Sequence, residues 1–269
     1  MTREELRRTL VRLELAGENI VVHAHLPGLG LRAPGDAHAL CEVLVEAVGS
    51  GTILMPAFTS GTLVAVTSES GTPRPPLAPT PFHADLPADD PVAEVFRHFP
   101  GTLRSQHPTH SFLALGPLAR ELLSTHRDNN PLGPIKKLNL HRGGIVLLGT
   151  NLCAAVALHL ALESRLPRDL TRRTALRINA SGYVERSVID HYPGCNRAFD
   201  KLEPLIDTTQ VREVALPTGS ARKIPLRYLL HLAHAALEQD PSALFCSEPS
   251  CSSCHAARRR MGLQPARLA

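Results

Sequence analysis

His159 and Glu163 are the residues whose spacing most directly suggests acid–base chemistry. They lie four positions apart in an apolar stretch, and the pattern predicts a helix over about 154–165. Residues four apart share one face of a helix, so the carboxylate can accept the imidazole N–H, fix its tautomer and stabilise the imidazolium. We therefore predict that His159 is a general base assisted by Glu163. On spacing alone, a surface ion pair is the alternative.

Three of the six cysteines, Cys246, Cys251 and Cys254, crowd near the C-terminus. The last pair has the spacing of half a structural zinc site, and we predict Cys195 as the fourth thiolate ligand. His255 follows Cys254 so directly that coordination by both would strain the geometry. The alternative is a group of reduced, partly exposed thiols, and a disulfide is not expected in the cytoplasm.

The stretch Arg104-Ser105-Gln106-His107-Pro108-Thr109-His110-Ser111 collects guanidinium, hydroxyl and imidazole groups. Such donors suit phosphate or amide groups of a ligand. The alternative is a polar loop that caps a helix beginning near Pro117. The sequence has no GxGxxG fingerprint or P-loop, which argues against a nicotinamide or nucleoside-triphosphate enzyme.

Composition is that of a globular protein: of 269 residues, 43% are hydrophobic and 20% charged. We predict one domain over 1–269 with a Cys-rich C-terminal segment at 245–269. The longest apolar runs are too short to span a bilayer and the N-terminus lacks an apolar leader region, so we expect a cytoplasmic protein that does not contact membranes. The net charge of +4 suits an anionic partner. It is too small to distinguish an anionic coenzyme from nucleic acid.

Short apolar segments alternate with helical patterns along the chain. Strands are predicted at 20–22, 52–55 and 144–149, a hairpin at 177–185, and helices at 3–15, 37–48, 92–98, 117–126 and 226–238. The strand, helix, strand order predicts an α/β fold containing a parallel unit. The proline-rich stretch 71–91 is expected to be a long loop over a site.

Four segments, taken in order, resemble the aminoglycoside 3-N-acetyltransferase family. They are Val22-His23-Ala24-His25-Leu26-Pro27-Gly28-Leu29-Gly30, then Gly51-Thr52-Ile53-Leu54-Met55-Pro56-Ala57-Phe58-Thr59, then Arg104-Ser105-Gln106-His107-Pro108-Thr109-His110-Ser111, and finally Leu158-His159-Leu160-Ala161-Leu162-Glu163. Any one of them is weak evidence, but their order and spacing together make coincidence improbable.

The resemblance implies a central mixed, partly parallel sheet flanked by helices. It also implies transfer of an acetyl group from acetyl-CoA to an amine of an aminoglycoside or related natural product, hence antibiotic resistance. His159 and Glu163 would be catalytic, and cofactor contacts would come from Leu29, Gly30, Thr59, Arg104, Ser105, His110, Ser111 and Phe112. A polycationic acceptor would favour carboxylates such as Asp85, Asp89, Asp90 and Glu94. The expected partners are coenzyme A and a small-molecule amine, and a homodimer is left open.

The chain departs from the family pattern at several positions. Ala24, His25 and Pro27 stand where the family usually has serines, and Ala157 stands where it often has threonine. Hydroxyl contacts to a cofactor or a tetrahedral intermediate are absent at these positions, although backbone amides of a loop can hold phosphate without them.

A second class of function is a non-catalytic binding protein. In that hypothesis the C-terminal cysteines bind a metal, and Arg258-Arg259-Arg260 contacts nucleic acid. Basic tails are usually just solvated, and the chain has no Trp and only ten Phe plus Tyr for base stacking, so nucleic acid is not favoured as a partner.

Overall fold

The computed structural model describes residues 1–64 and 78–264. The strands are β1 (Asn19–Ala24), β2 (Thr52–Pro56), β3 (Leu103–Arg104), β4 (Phe112–Leu115), β5 (Gly144–Leu148), β6 (Arg173–Ile178), β7 (Val184–Ile189), β8 (Arg212–Leu216) and β9 (Gly219–Pro225). The helices are α1 (Arg3–Arg12), α2 (Asp36–Val48), α3 (Pro91–Arg97), α4 (Ala119–Ser124), α5 (Gly133–Leu140), α6 (His159–Glu163), α7 (Arg168–Thr171), α8 (Leu226–Gln239) and α9 (Ser252–Arg260).

Seven strands form one mixed sheet in the order β3-β4-β2-β1-β5-β9-β8, and β6 pairs with β7 in a separate hairpin. β1 runs parallel to both β2 and β5, while β4 and β9 extend the sheet antiparallel on the two sides. The predicted α/β class with a partly parallel central sheet is therefore confirmed.

The central strands are buried on both faces. Along β1, Ile20 and Val22 pack into the core beneath α1, α2 and α3, whereas Val21 faces the opposite core with α4, α5 and α8. Because successive strand side chains point to opposite faces, an almost continuous apolar run such as Ile20-Val21-Val22 serves both cores.

Several predicted elements are confirmed. The capping box of Thr2 and Glu5 starts α1, Gly49 ends α2, and α8 follows Pro225. The hairpin is longer than predicted, and β3, β4, β8 and β9 were not predicted because they are short or lack a continuous apolar run. Part of the expected loop, 71–77, lies outside the described residues.

Of the helix predicted over 154–165, only His159–Glu163 is α-helical. Two 3₁₀ turns, Leu152–Ala154 and Val156–Leu158, precede the short α6, and Ala155 between them has φ −73° and ψ 76°, which no helix accommodates. His159 is consequently the first residue of α6. An apolar run cannot reveal such a backbone break, because each of its residues is compatible with a helix.

Gly28, after β1, touches the backbone just beyond β5. A Cβ placed on Gly28 would lie 1.9 Å from the carbonyl oxygen of Gly149, and Gly149 itself has φ +66°. Only glycine allows two backbones to approach this closely. The contact holds the β1 loop against the end of β5, next to the cleft described below.

We expect Gly28→Ala to lower the free energy of unfolding by about 3 kcal/mol or more, because the added methyl forces two backbones apart. Urea denaturation followed by circular dichroism measures this. Gly61→Ala is the matched control, since a Cβ there meets nothing within 4 Å. Equal stabilities of the two variants would contradict this account of the loop contact.

Candidate active site

A cleft of about 390 Å³ opens at the carboxyl ends of the three parallel strands. Ala24 ends β1, Pro56 ends β2, and Thr150 follows β5, and all three line the cleft. Loops at this edge of a parallel sheet are where ligands usually bind in α/β proteins. We refer to this space as the strand-end cleft.

A second cleft of about 440 Å³ lies beside it, between α6, α7 and α9. Its wall is largely apolar, with Leu162, Leu166 and Phe245 among the lining residues, and Arg173 contributes a cation. We refer to it as the helical cleft. His159, Tyr192 and Gly194 line both clefts, so the imidazole of His159 lies where the two spaces meet.

His159 is nearly buried, with 8% of its surface exposed, and its ring packs edge-on against Phe199 at a centroid distance of 4.8 Å. Burial disfavours the charged imidazolium and lowers the pKa of His159 to about 4. The ring is therefore neutral at pH 7, which is the form that can accept a proton.

The predicted hydrogen bond between His159 and Glu163 is not formed. Glu163 instead accepts a 2.7 Å hydrogen bond from Lys136 Nζ on α5, and its carboxylate lies 3.9 Å from His191 Nδ1. Within residues 1–64 and 78–264 no hydrogen bond joins the two side chains. α6 is only about one turn long. The contacts of Glu163 with Lys136 and His191, rather than its spacing from His159 along a helix, therefore set its orientation. Both residues still line a small cavity of about 20 Å³.

Three further histidines pack beneath the strand-end cleft. His107 stacks on His126 at 4.7 Å, His126 Nδ1 lies 2.8 Å from Ser105 Oγ, and His110 Nδ1 lies 2.8 Å from Thr109 Oγ1. Burial is the main cause that lowers the pKa of His107 to about 2 and that of His110 and His126 to about 3. All three are neutral at pH 7, and His110 alone among them lines the cleft.

Arg104 does not present a free guanidinium to a cofactor, contrary to the sequence-based expectation. It donates to the carbonyl oxygens of Ala84, Leu86 and Ala57 and to Ser111 Oγ. Those bonds use Nε and both terminal nitrogens. Arg104 thus holds the 84–86 segment against the end of β2.

The other residues expected to contact a cofactor are mostly interior. Ser105 Oγ accepts from Phe112 N, Ser111 Oγ donates to Ala57 O, and Thr59 Oγ1 donates to Pro108 O. These groups brace the backbone around the cleft and do not line it. Phe112 is fully buried in the core and also lines neither cleft.

Leu29 and Gly30 lie away from His159. They line a separate hollow of about 640 Å³ together with Met1 and Thr218. Neither residue lines the strand-end cleft or the helical cleft. Of the predicted cofactor residues, His110 is the one that lines the strand-end cleft.

Sequence reasoning missed His23 and Tyr192 as residues of the cleft. Burial lowers the pKa of His23 to about 4, and its Nε2 is buried without a hydrogen-bond partner among the described residues. Tyr192 packs edge-on against His110 at 4.8 Å. The Tyr192-Pro193-Gly194 turn was a usable signal for a loop at a site, whereas His23 is hidden within a strand.

The four predicted metal ligands do come together. The Sγ atoms of Cys195, Cys246, Cys251 and Cys254 all lie within 4.8 Å of one another. Cys195 and Cys254 also line the helical cleft. The group therefore joins the Tyr192–Cys195 turn to the beginning of α9.

Comparison with known proteins supports the sequence resemblance. The aminoglycoside 3-N-acetyltransferase family model matches residues 21–238. The aminoglycoside N(3)-acetyltransferase VIII of Streptomyces fradiae is 32% identical over 180 residues, covering 59% of this chain and 59% of that protein. The chain thus matches about three fifths of that relative's length.

Two solved structures show the same fold. The aminoglycoside acetyltransferase AAC(3)-IVa apoenzyme superposes with a TM-score of 0.75 at 25% identity, covering 96% of each chain. AAC-IIIb in its binary complex with CoASH gives 0.71 at 24% identity, covering 89% of this chain and 97% of that one. No helix in the described part of the chain is long and apolar enough to cross a membrane. From the match over residues 21–238, we conclude that the chain belongs to the aminoglycoside 3-N-acetyltransferase family.

Proposed function

We propose that this chain transfers an acetyl group from acetyl-CoA to an amine of an aminoglycoside or related natural product, with His159 as the general base. The observation that carries the proposal is the neutral, nearly buried imidazole of His159 at the junction of two clefts. Two clefts meeting at one base suit a reaction that joins two substrates. Residues 1–269 would form one acetyltransferase domain, and the acceptor would make the activity one of antibiotic resistance.

The charges of the clefts support a different substrate for each. Asp89 and Asp90 line the strand-end cleft, and each uses only one carboxylate oxygen in the described hydrogen bonds. A polycationic amine fits there. The helical cleft has apolar walls and Arg173, which suit the pantetheine arm and the phosphates of coenzyme A. Asp85 and Glu94, the other candidate carboxylates, do not line either cleft; Glu94 pairs with Arg97.

The reaction needs a neutral nucleophile. As the amine nitrogen adds to the thioester carbonyl carbon, His159 takes the ammonium proton, and when the carbon–sulfur bond breaks the proton can pass to the departing sulfur. The Glu163 carboxylate, across the small cavity, stabilises the transient imidazolium by its charge. Lys136 holds that carboxylate in place.

The cysteine group fits a structural zinc ion. A tetrahedral site with zinc–sulfur distances of about 2.3 Å separates its sulfurs by about 3.8 Å, and Cys195 Sγ lies 3.7 Å from Cys246 Sγ. Four closely spaced thiols suit this ion in a reducing compartment. A zinc ion would pin α9 to the turn that carries Tyr192, and the cytoplasmic location that this requires stays a prediction.

We expect His159→Ala to lower kcat by about 10²–10⁴ while acetyl-CoA affinity stays nearly unchanged, because the base acts on the acceptor proton. In the unmodified chain, the pH profile of kcat/KM should follow the ionisation of the acceptor amine, with no further fall near pH 6.5 from His159. The lowered pKa of about 4 keeps His159 in its active, neutral form down to about pH 4. Thiol release from acetyl-CoA across a pH series measures both. Unchanged turnover in the variant would exclude His159 as the base.

Asp89→Asn should raise KM for a polyamine acceptor by about tenfold and leave KM for acetyl-CoA within about twofold, because only the strand-end cleft loses a charge. The amide can still accept the hydrogen bond from Ser60 N. Asp85→Asn is the matched control, since Asp85 is exposed and lines neither cleft. A larger effect on acetyl-CoA than on the acceptor would reverse the assignment of the clefts.

Protein purified without chelator should contain about one zinc per chain, and Cys195→Ser and Cys251→Ser should lose both the zinc and thermal stability. Elemental analysis and thermal unfolding measure the two properties. Cys153→Ser is the control because Cys153 lies outside the group of four. Substoichiometric zinc together with unchanged melting of the cluster variants would leave the cysteines as free thiols.

A further inference from the structure

His110 lies in the strand-end cleft beside the base, and nothing in the reaction described so far uses it. Its ring is 5% exposed and packs between Phe58, at 4.4 Å, and Tyr192, at 4.8 Å. These two rings restrict its rotation. The imidazole therefore has one orientation, with one ring nitrogen turned to Thr109 and the other toward the cleft.

The neighbouring hydrogen bonds determine which nitrogen of His110 carries the proton. His107 Nδ1 accepts the backbone N–H groups of Thr109, at 3.2 Å, and of His110, at 3.0 Å, so its lone pair is already used. The hydroxyl of Thr109 is 1% exposed and lies 2.8 Å from His110 Nδ1, against 3.5 Å from His107 Nδ1. A hydroxyl proton directed at His110 Nδ1 gives this buried donor its nearest acceptor, and in the tautomer that we infer from this the proton of the neutral ring is on Nε2.

His110 Nε2 has no hydrogen-bond partner in the described part of the chain, yet it is not among the side-chain nitrogens sealed from solvent. It is a donor with an open position in the cleft. Burial, with a smaller contribution from the neighbouring His159, lowers the pKa of His110 to about 3. The ring therefore neither competes with His159 for the proton nor repels a cationic acceptor.

We propose that His110 Nε2–H donates a hydrogen bond to the carbonyl oxygen of the acetyl thioester and stabilises the oxyanion that forms on it. The inference rests on the proposed acetyl transfer. When the amine nitrogen bonds to the carbonyl carbon, the C=O electron pair moves onto oxygen, and it returns as the carbon–sulfur bond breaks and the thiolate leaves. The His110 proton stays on Nε2 throughout, while the amine proton passes to His159. A neutral, preoriented donor at a developing oxyanion is an effective catalytic group.

The kinetic test compares His110→Ala with His110→Gln, whose side-chain amide retains an N–H donor. We expect kcat of the alanine variant to fall by about 10²–10³ with KM for acetyl-CoA within about twofold, and the glutamine variant to recover part of the loss. Thr109→Val removes the hydroxyl that fixes the tautomer, and its kcat should lie between those of the alanine and glutamine variants. His83→Gln, an exposed site outside both clefts, is the control.

A binding measurement separates this role from a structural one and does not depend on turnover. In the infrared spectrum of bound acetyl-CoA labelled with ¹³C at the carbonyl, the hydrogen bond should shift the band to lower frequency, and His110→Ala should abolish the shift. If both proteins bind acetyl-CoA and its carbonyl band has the same position in each, the role of His110 is overturned but the proposed function is not. Failure of the unmodified chain to bind acetyl-CoA would overturn the proposed function together with it.

Discussion

Parallel pairing of β1 with β2 and β5 is the constraint on which the rest of this structure depends. It brings the ends of three strands that are far apart in sequence to one edge of the sheet, where Ala24, Pro56 and Thr150 line a common cleft. Since these strands are buried on both faces, the pairing cannot shift without exposing one of the two cores. The contact between Gly28 and Gly149 then holds the loop after β1 against the end of β5 at that edge.

Burial gives the site its electrostatic character. His23, His107, His110, His126 and His159 all have pKa values lowered chiefly by desolvation, so these five imidazoles are uncharged at pH 7. A neutral ring is either a base or a hydrogen-bond donor, depending on which nitrogen is already used. The environment of each ring, rather than residue type, therefore distinguishes the roles that we propose for His159 and His110.

Several polar residues of the family motif hold the backbone around the cleft in place. Arg104 binds three backbone carbonyls, and Ser105, Ser111 and Thr59 each bond to the backbone of a neighbouring segment. A motif rich in donors looks the same in sequence whether its donors face a ligand or the protein. The turn bearing Tyr192 also carries Cys195, so the group of four cysteines and the cleft wall share one segment.

The sequence by itself determined the α/β class and the main parallel strands, because apolar periodicity is a local signal that survives without the fold. The family was predicted from the resemblance of four ordered segments. The spacing of Cys246, Cys251 and Cys254 indicated the cysteine group, and the loop-like turn at Cys195 suggested its fourth member. Only the tertiary structure decided that Glu163 pairs with Lys136, that Arg104 is internally bonded and that His110 packs between Phe58 and Tyr192. The physical reason is that each of these outcomes depends on competition among partners distant in sequence. A side chain's partner is whichever donor or acceptor the packed chain brings within about 3 Å, and residue spacing carries no information about that.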